Sequence, residues 1–312
     1  MLHYSRRELL GSAAALAFGS RLRAMPLSEI KLGITTDEIS EDMPTAARFL
    51  RDHGLKWAEV RNFSGKYNTE QPIEKVREAR ATLDEFGIRV SIEGSGFFKI
   101  PLPAAGAEGQ QMLDGQWALL ERSMERAKAF NTDKIRVFAF MLDRGQPATE
   151  KSYARIYELT REAARRARGF RLAIETIGGG YVWTAAQAAE LLKNVKEDNV
   201  GLTWDPNNAA QALEAERPFP DGYRKLDPAR IFHVHLRDYK HENGKVVWAA
   251  VGQGEFDNVG QIRALLKDGY KGTFTLETHW RDPQTSGRPD NAMHSTEISL
   301  QELLKVVERV PI

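Results

Sequence analysis

The sequence predicts an α/β protein folded as a single (β/α)8 barrel of the TIM type, and three observations carry that prediction. Eight short β-prone segments alternate with amphipathic stretches whose apolar residues recur every three and four positions. Glycine follows helical stretches at His53-Gly54, Phe86-Gly87, Arg168-Gly169 and Asp268-Gly269, where a left-handed helix stop is expected. No glycine-rich nucleotide fingerprint accompanies the alternation, which favours a closed barrel over an open doubly wound sheet. The 312 residues accommodate one barrel of about 250 residues and a leader. No low-complexity linker or constant short repeat divides the chain.

The leader comes first. Ser5-Arg6-Arg7-Glu8-Leu9-Leu10, a mildly apolar run from Gly11 to Phe18, and then Arg21 to Ala24 resemble a twin-arginine export signal over residues 1–25. A disordered basic terminus or a short amphipathic helix is the alternative reading. The run is too short to span a bilayer. The expectation is a periplasmic or secreted protein, with a cytoplasmic one as the alternative, and a barrel domain over residues 30–312.

The barrel strands are expected at residues 30–35 (IKLGIT), 57–61 (WAEVR), 89–93 (RVSIE) and 134–140 (KIRVFAF). The remaining four are LAIET, GLTWD, FHVHL and FTLET, which carry Glu175, Asp205, His235 and Glu277 near their carboxyl ends. Helices are expected over 43–53, 72–86, 111–130, 149–168, 184–196 and 259–268. Long loops at 94–109, 207–226 and 239–256 are expected to build the site and its lid.

Composition excludes several classes. Lys+Arg 44 against Asp+Glu 43 leaves a net charge of +1, so no global basic field recruits nucleic acid or an anionic membrane. With no cysteine there is no disulfide, thiolate nucleophile or thiolate metal site. A homo-oligomer stays open.

Thirty residues separate Glu175 from Asp205, thirty more reach His235, and forty-two reach Glu277, which is βα-unit spacing. Three carboxylates and an imidazole at strand ends form a mostly oxygen donor set. It suits one Mn²⁺, Mg²⁺ or Co²⁺ ion, with Zn²⁺ possible. A charge closing a buried apolar strand needs such a partner, although any one of the four alone reads equally well as a loop salt bridge or a cap.

GITTDEIS (33–40), AEVRN (58–62), the ET at 175–176, WDPNN (204–208), HVHLRD (233–238), GQGEFD (252–257) and GYKGTFTLETHW (269–280) together resemble the sugar phosphate isomerase/epimerase family with its xylose isomerase-like barrel. The likeness runs from about Ile30 to the end of the chain. It implies that Glu175, Asp205, His235 and Glu277 hold one divalent ion. His235 is preferred to His233, which lies deeper on the same strand face and is expected to pack within the barrel.

The ketose epimerases of that family imply a histidine where this chain has Asn208, an acid where it has Tyr181 and an arginine where it has His241. Free-ketose 3-epimerisation is therefore in doubt. The expected chemistry is removal of a proton beside a substrate carbonyl through a metal-bound enediolate, with Glu175 and Glu277 as base and acid on opposite faces.

Substrate contacts are assigned to Arg237, His279, Asn208, Glu59, Trp183 and Tyr181. Arg61, Trp248, Trp280 and Phe97 are further pocket candidates. Arg237 is expected either to bind an oxyanion or hydroxyl or to pair with Asp238 or Glu277. His279 is a proton carrier or hydroxyl contact, or else a partner of a loop carbonyl. The triple glycine at 178–180 lacks the Lys and Ser/Thr of a phosphate loop and is read as backbone freedom.

The leading expectation is thus a metal-dependent isomerase or epimerase of an unphosphorylated sugar. A lyase cleaving 3-keto-glycosides by β-elimination is its close rival. An abasic-site endonuclease and a non-catalytic sugar-binding protein rank below, the former for want of extra histidines and a basic face.

Overall fold

The structure, a computed structural model, describes residues 30–143, 148–212 and 217–310. The leader expected at residues 1–25 lies outside them. All eight expected strands form. β1 (Leu32–Thr35), followed by α1 (Met43–Asp52), leads to β2 (Trp57–Val60). A small hairpin of β3 (Asn62–Phe63) and β4 (Lys66–Tyr67) precedes α2 (Ile73–Glu85), β5 (Arg89–Gly94), α3 (Ala107–Ala129) and β6 (Lys134–Val137).

The second half continues with α4 (Glu150–Arg166), β7 (Arg171–Glu175), α5 (Ala185–Asn194), β8 (Val200–Trp204) and a short α6 (Pro206–Ala210). It closes with β9 (Ile231–Leu236), a hairpin of β10 (Asp238–Glu242) and β11 (Lys245–Ala249), α7 (Asn258–Lys267), β12 (Phe274–Leu276) and α8 (Asn291–Glu308). The barrel order is β1-β12-β9-β8-β7-β6-β5-β2, closed on itself.

Local chemistry explains the helix limits. Asp42, Thr149 and Asp257 cap α1, α4 and α7 through their side chains, and Thr184 and Gln187 form a capping box on α5. The four expected stops hold: Gly54, Gly87, Gly169 and Gly269 all have φ between +70° and +91°.

Three expectations need correction. Residues 239–256 are not simply irregular, because 238–249 fold into the β10–β11 hairpin. Its Asn243-Gly244 turn has φ of 51° and 73°, the geometry that Asn-Gly sequences favour. The 94–109 loop ends earlier than expected, with α3 beginning at Ala107. A helix absent from the expected set, α8, covers the barrel after β12.

The large apolar core lies between strands and helices. Inside the barrel, Ile92, Ala173 and Phe232 form a small separate cluster. Above it the interior is polar: Glu59, Arg136, His233 and His235 are buried there. That departs from the usual filling of barrel interiors by branched apolar layers. Among the described residues no helix is long and apolar enough to cross a membrane.

Candidate metal centre

Glu175, Asp205, His235 and Glu277 come from β7 and the ends of β8, β9 and β12, four consecutive strands of the barrel. One ligand atom from each lies within 4.8 Å of the others, and all four residues are buried. His235 Nδ1 sits 3.1 Å from Glu277 Oε2, 3.6 Å from Asp205 Oδ2 and 3.8 Å from Glu175 Oε1. Neither His235 Nδ1 nor Glu277 Oε2 meets a donor in hydrogen-bonding geometry.

Local sequence sets each donor. Asp205 follows the last residue of β8 and caps α6: its Oδ1 accepts from the backbone of Asn207 and Asn208 at 3.0 and 3.1 Å, with Pro206 opening the helix. Oδ2 faces the cluster, where it also accepts from Asn208 Nδ2 and Arg237. Glu277 divides its oxygens in the same way, Oε1 accepting from Arg61 Nη1 at 2.5 Å while Oε2 faces His235.

The electrostatics favour a cation. Burial lowers the pKa of the His235 imidazole, but the carboxylates of Glu59 and Glu277 outweigh it and raise that pKa well above its usual value. Burial likewise raises the pKa of Glu277, and Arg237, His235 and His279 together bring it well below normal. Three buried carboxylates and an imidazole nitrogen aimed at them fit a divalent ion in donor number and type.

Several expected contacts fall elsewhere. Glu59 does not line a substrate pocket. It is fully buried below the cluster, where His233 Nε2 and His235 Nε2 approach its Oε2 at 3.1 and 2.8 Å. Tyr181 packs into the core edge-on to Tyr153, with ring centroids 5.6 Å apart, and Phe97 is buried against Phe98 at 3.8 Å. Neither ring is available to a sugar. His241 is exposed on β10 and pairs with Glu255 at 2.7 Å.

Asn208 is used inward, not by solvent: its Nδ2 donates to Thr176 O, Asp205 Oδ2 and Glu175 Oε1 at 2.9 to 3.2 Å. It therefore orients two of the four donors. Trp183 is half-buried and donates from Nε1 to Asn208 O at 2.6 Å, bracing the same segment. Gly179 has φ of +74°, consistent with backbone freedom in the triple glycine.

The remaining expectations resolve in one direction. Arg237 contacts Asp205, lies 3.0 Å from Glu277 Oε2, and stacks 4.8 Å from the Trp248 ring; Asp238 is turned away and accepts backbone amides. His279 Nδ1 lies 2.5 Å from Arg237 Nη1, not against a loop carbonyl. A guanidinium only donates, so Nδ1 accepts and Nε2 carries the proton, 3.5 Å from both Glu38 and Glu277. His233 is packed as expected, and burial takes its pKa down to about 4, leaving it neutral.

The sequence reading missed Arg136, Asp37, Glu38 and Arg281. Arg136 is fully buried with Nη1 3.3 Å from both Glu59 and Glu175. Its signal was legible as a lone charge inside the apolar strand KIRVFAF, which only a buried carboxylate can balance. Asp37 and Glu38 bind Arg61 at 2.6 and 3.0 Å, and Arg281 reaches Glu38 at 2.8 Å.

Residues 47–303 match the model of the xylose isomerase-like TIM barrel family. No curated protein matches the sequence. Similar solved structures include an IOLI protein described with a bound zinc atom, at TM-score 0.71 and 17% identity over 90% of this chain and 99% of that one. A D-psicose 3-epimerase described in the presence of D-fructose matches at TM-score 0.68 and 19% identity, over 89% and 100%. A xylose isomerase-like barrel from Mycobacterium smegmatis, described with magnesium, matches at 0.63 and 19%, over 86% and 89%. At such identities the likeness is one of fold.

Proposed function

The chain belongs to the xylose isomerase-like TIM barrel family, and from that premise we propose that it is a divalent-metal-dependent isomerase or epimerase of a carbohydrate. The observation that carries the reading is the buried quartet of Glu175, Asp205, His235 and Glu277 with ligand atoms within 4.8 Å of one another. Similar folds described with zinc and with magnesium support a divalent ion here, with Mn²⁺, Mg²⁺, Co²⁺ and Zn²⁺ the species to try. When bound, such an ion polarises a substrate carbonyl as a Lewis acid.

The chain's own residues supply the rest. Glu175 and Glu277 sit on the two outer strands of the four and flank Asp205 and His235. One carboxylate takes the proton from the carbon beside the carbonyl, and the other returns it from the opposite face. His279 offers its Nε2 proton to a substrate hydroxyl, and the Trp248 ring covers Arg237 beside it.

Two observations support an unphosphorylated substrate. The guanidinium groups of Arg61, Arg237 and Arg281 are all already paired with carboxylates. The leader-like residues 5–24 support export, away from phosphorylated intermediates.

A second reading, a lyase acting on 3-keto-glycosides, is favoured by the placement of Tyr181 in the core and His241 on the surface, which leaves two ketose-epimerase contact positions outside the site. The same base would remove the proton beside the ketone, a carbon–carbon double bond would form, and the glycosyl oxygen would leave with its electron pair and take up a proton. The test is incubation of the metal-loaded protein in heavy water with free ketoses and with 3-keto-glycosides. Solvent hydrogen entering the sugar without aglycone release supports the isomerase. Aglycone release moves the assignment to the lyase, and metal and sugar binding with neither reaction defeats both. Glu175→Gln is expected to lower turnover by about 10²- to 10⁴-fold.

A further inference from the structure

We propose that Glu59 is a positioning residue that sets the tautomer of His235 and so aims its Nδ1 at the other three metal donors. The proposal rests on the metal-site reading above and extends it to a residue that touches neither ion nor substrate.

Glu59 reaches His233 and His235 from β2, three strands away around the barrel, so the contact runs through the interior. A carboxylate only accepts hydrogen bonds. Both imidazoles present Nε2 to the same oxygen, at 2.8 Å for His235 and 3.1 Å for His233, so both Nε2 atoms carry hydrogen. In the neutral His235 ring the lone pair is then on Nδ1, the atom that faces Glu277, Asp205 and Glu175. Among the described residues Glu59 is the acceptor that His235 Nε2 meets, while Nδ1 lies 3.1 Å from Glu277 Oε2 on the side of the cluster.

The other Glu59 oxygen carries the effect to a second donor. Arg136 Nη1 lies 3.3 Å from Glu59 Oε1 and 3.3 Å from Glu175 Oε2, linking the carboxylate beneath His235 to the one on β7. One buried group thereby constrains two of the four donors. A buried carboxylate paired with an arginine is an expensive way to fill a barrel layer, since apolar side chains of similar volume hold a fold at least as well. Orienting a ligand histidine through its other ring nitrogen gives the arrangement a use.

The test combines titration of purified full-length protein with Mn²⁺ and Co²⁺, the visible spectrum of the Co²⁺ form, and long-range nitrogen–proton NMR of the histidines. Glu59→Gln is expected to bind both ions about 10- to 100-fold more weakly and to change the Co²⁺ spectrum, with the metal-free fold retained by circular dichroism. The carboxamide loses the charge and replaces one carboxylate oxygen by a donor, which must face either the imidazole hydrogens or Arg136. Glu59→Asp, which keeps the charge on a shorter stem, should recover part of the affinity, and it supplies the comparison should the glutamine variant not fold.

The wild-type protein loaded with diamagnetic Zn²⁺ gives an independent readout: its His235 is expected to carry hydrogen on Nε2 with Nδ1 free of it, and finding the hydrogen on Nδ1 overturns the proposal. Unchanged affinity and an unchanged Co²⁺ spectrum in a folded variant overturn it as well, leaving the metal site intact. A wild-type protein that takes up no divalent ion overturns the metal-site reading and this proposal together.

Discussion

Asp205 and Glu277 each divide two oxygens between structure and chemistry, one satisfying the protein and one facing the cluster. At this scale a buried carboxyl has its character set by what surrounds it, and Glu93 shows the opposite outcome. It is fully buried on β5, and burial raises its pKa from 4.5 to about 8, more than nearby Asn68 and Arg136 lower it. The unfolded chain loses this proton near 4.5 while the folded one keeps it until about 8. Folded stability from this group is therefore complete below pH 4.5 and is lost as pH rises to about 8. Glu93→Gln should remove that decline and gain on the order of a few kcal/mol over the wild type at pH 8. Urea unfolding of both proteins at pH 5 and pH 8 measures it, and equal pH dependence in the two would refute it.

Among elements, the β10–β11 hairpin brings Trp248 over Arg237 and His279. Its seat is Asp238, whose carboxylate accepts from the backbone of Gly252, Gly254, Phe256 and Tyr239 at 2.8 to 3.2 Å. The GQGEFD motif follows from this. A Cβ on Gly254 would lie 2.2 Å from Asp238 Oδ1 and 2.4 Å from Tyr239 O, so no other residue lets the loop wrap the carboxylate. Asp238→Ala would leave several buried amides without an acceptor and should cost about 2–4 kcal/mol. The loss should show in chemical denaturation and, because the hairpin loses its seat, as weaker sugar binding. A variant as stable as the wild type would mean the loop is held by something else.

For the whole molecule, a barrel that gathers five carboxylates, Asp37, Glu38, Glu175, Asp205 and Glu277, around one mouth is stabilised by whatever cation it binds. Free ion at 100 times its dissociation constant adds about 2.7 kcal/mol to folding. For a domain of this size that corresponds to a rise in melting temperature of roughly 5 °C. Thermal unfolding in chelator and in excess Mn²⁺, Mg²⁺, Co²⁺ or Zn²⁺ should give that shift with at least one ion, and identical curves with all four would count against a metal centre.

The barrel and the convergence of Glu175, Asp205, His235 and Glu277 were legible because both are periodic along the chain. Strand, helix and glycine stop recur, and each donor closes an apolar run at βα spacing. The β10–β11 hairpin reads as a loop in the sequence, although Asn243-Gly244 between β-prone residues carries its turn signal. What only the tertiary structure decided is which polar residues meet. Glu59 and His235 stand 176 positions apart and Arg61 and Glu277 stand 216 apart, so no local pattern links them. Position after a strand likewise did not separate Tyr181, packed against Tyr153, from Trp248, stacked on Arg237. Periodicity records which face of an element is buried; closure of the barrel brings particular side chains across its interior, and that closure decided which residues orient the donors and which merely fill the core.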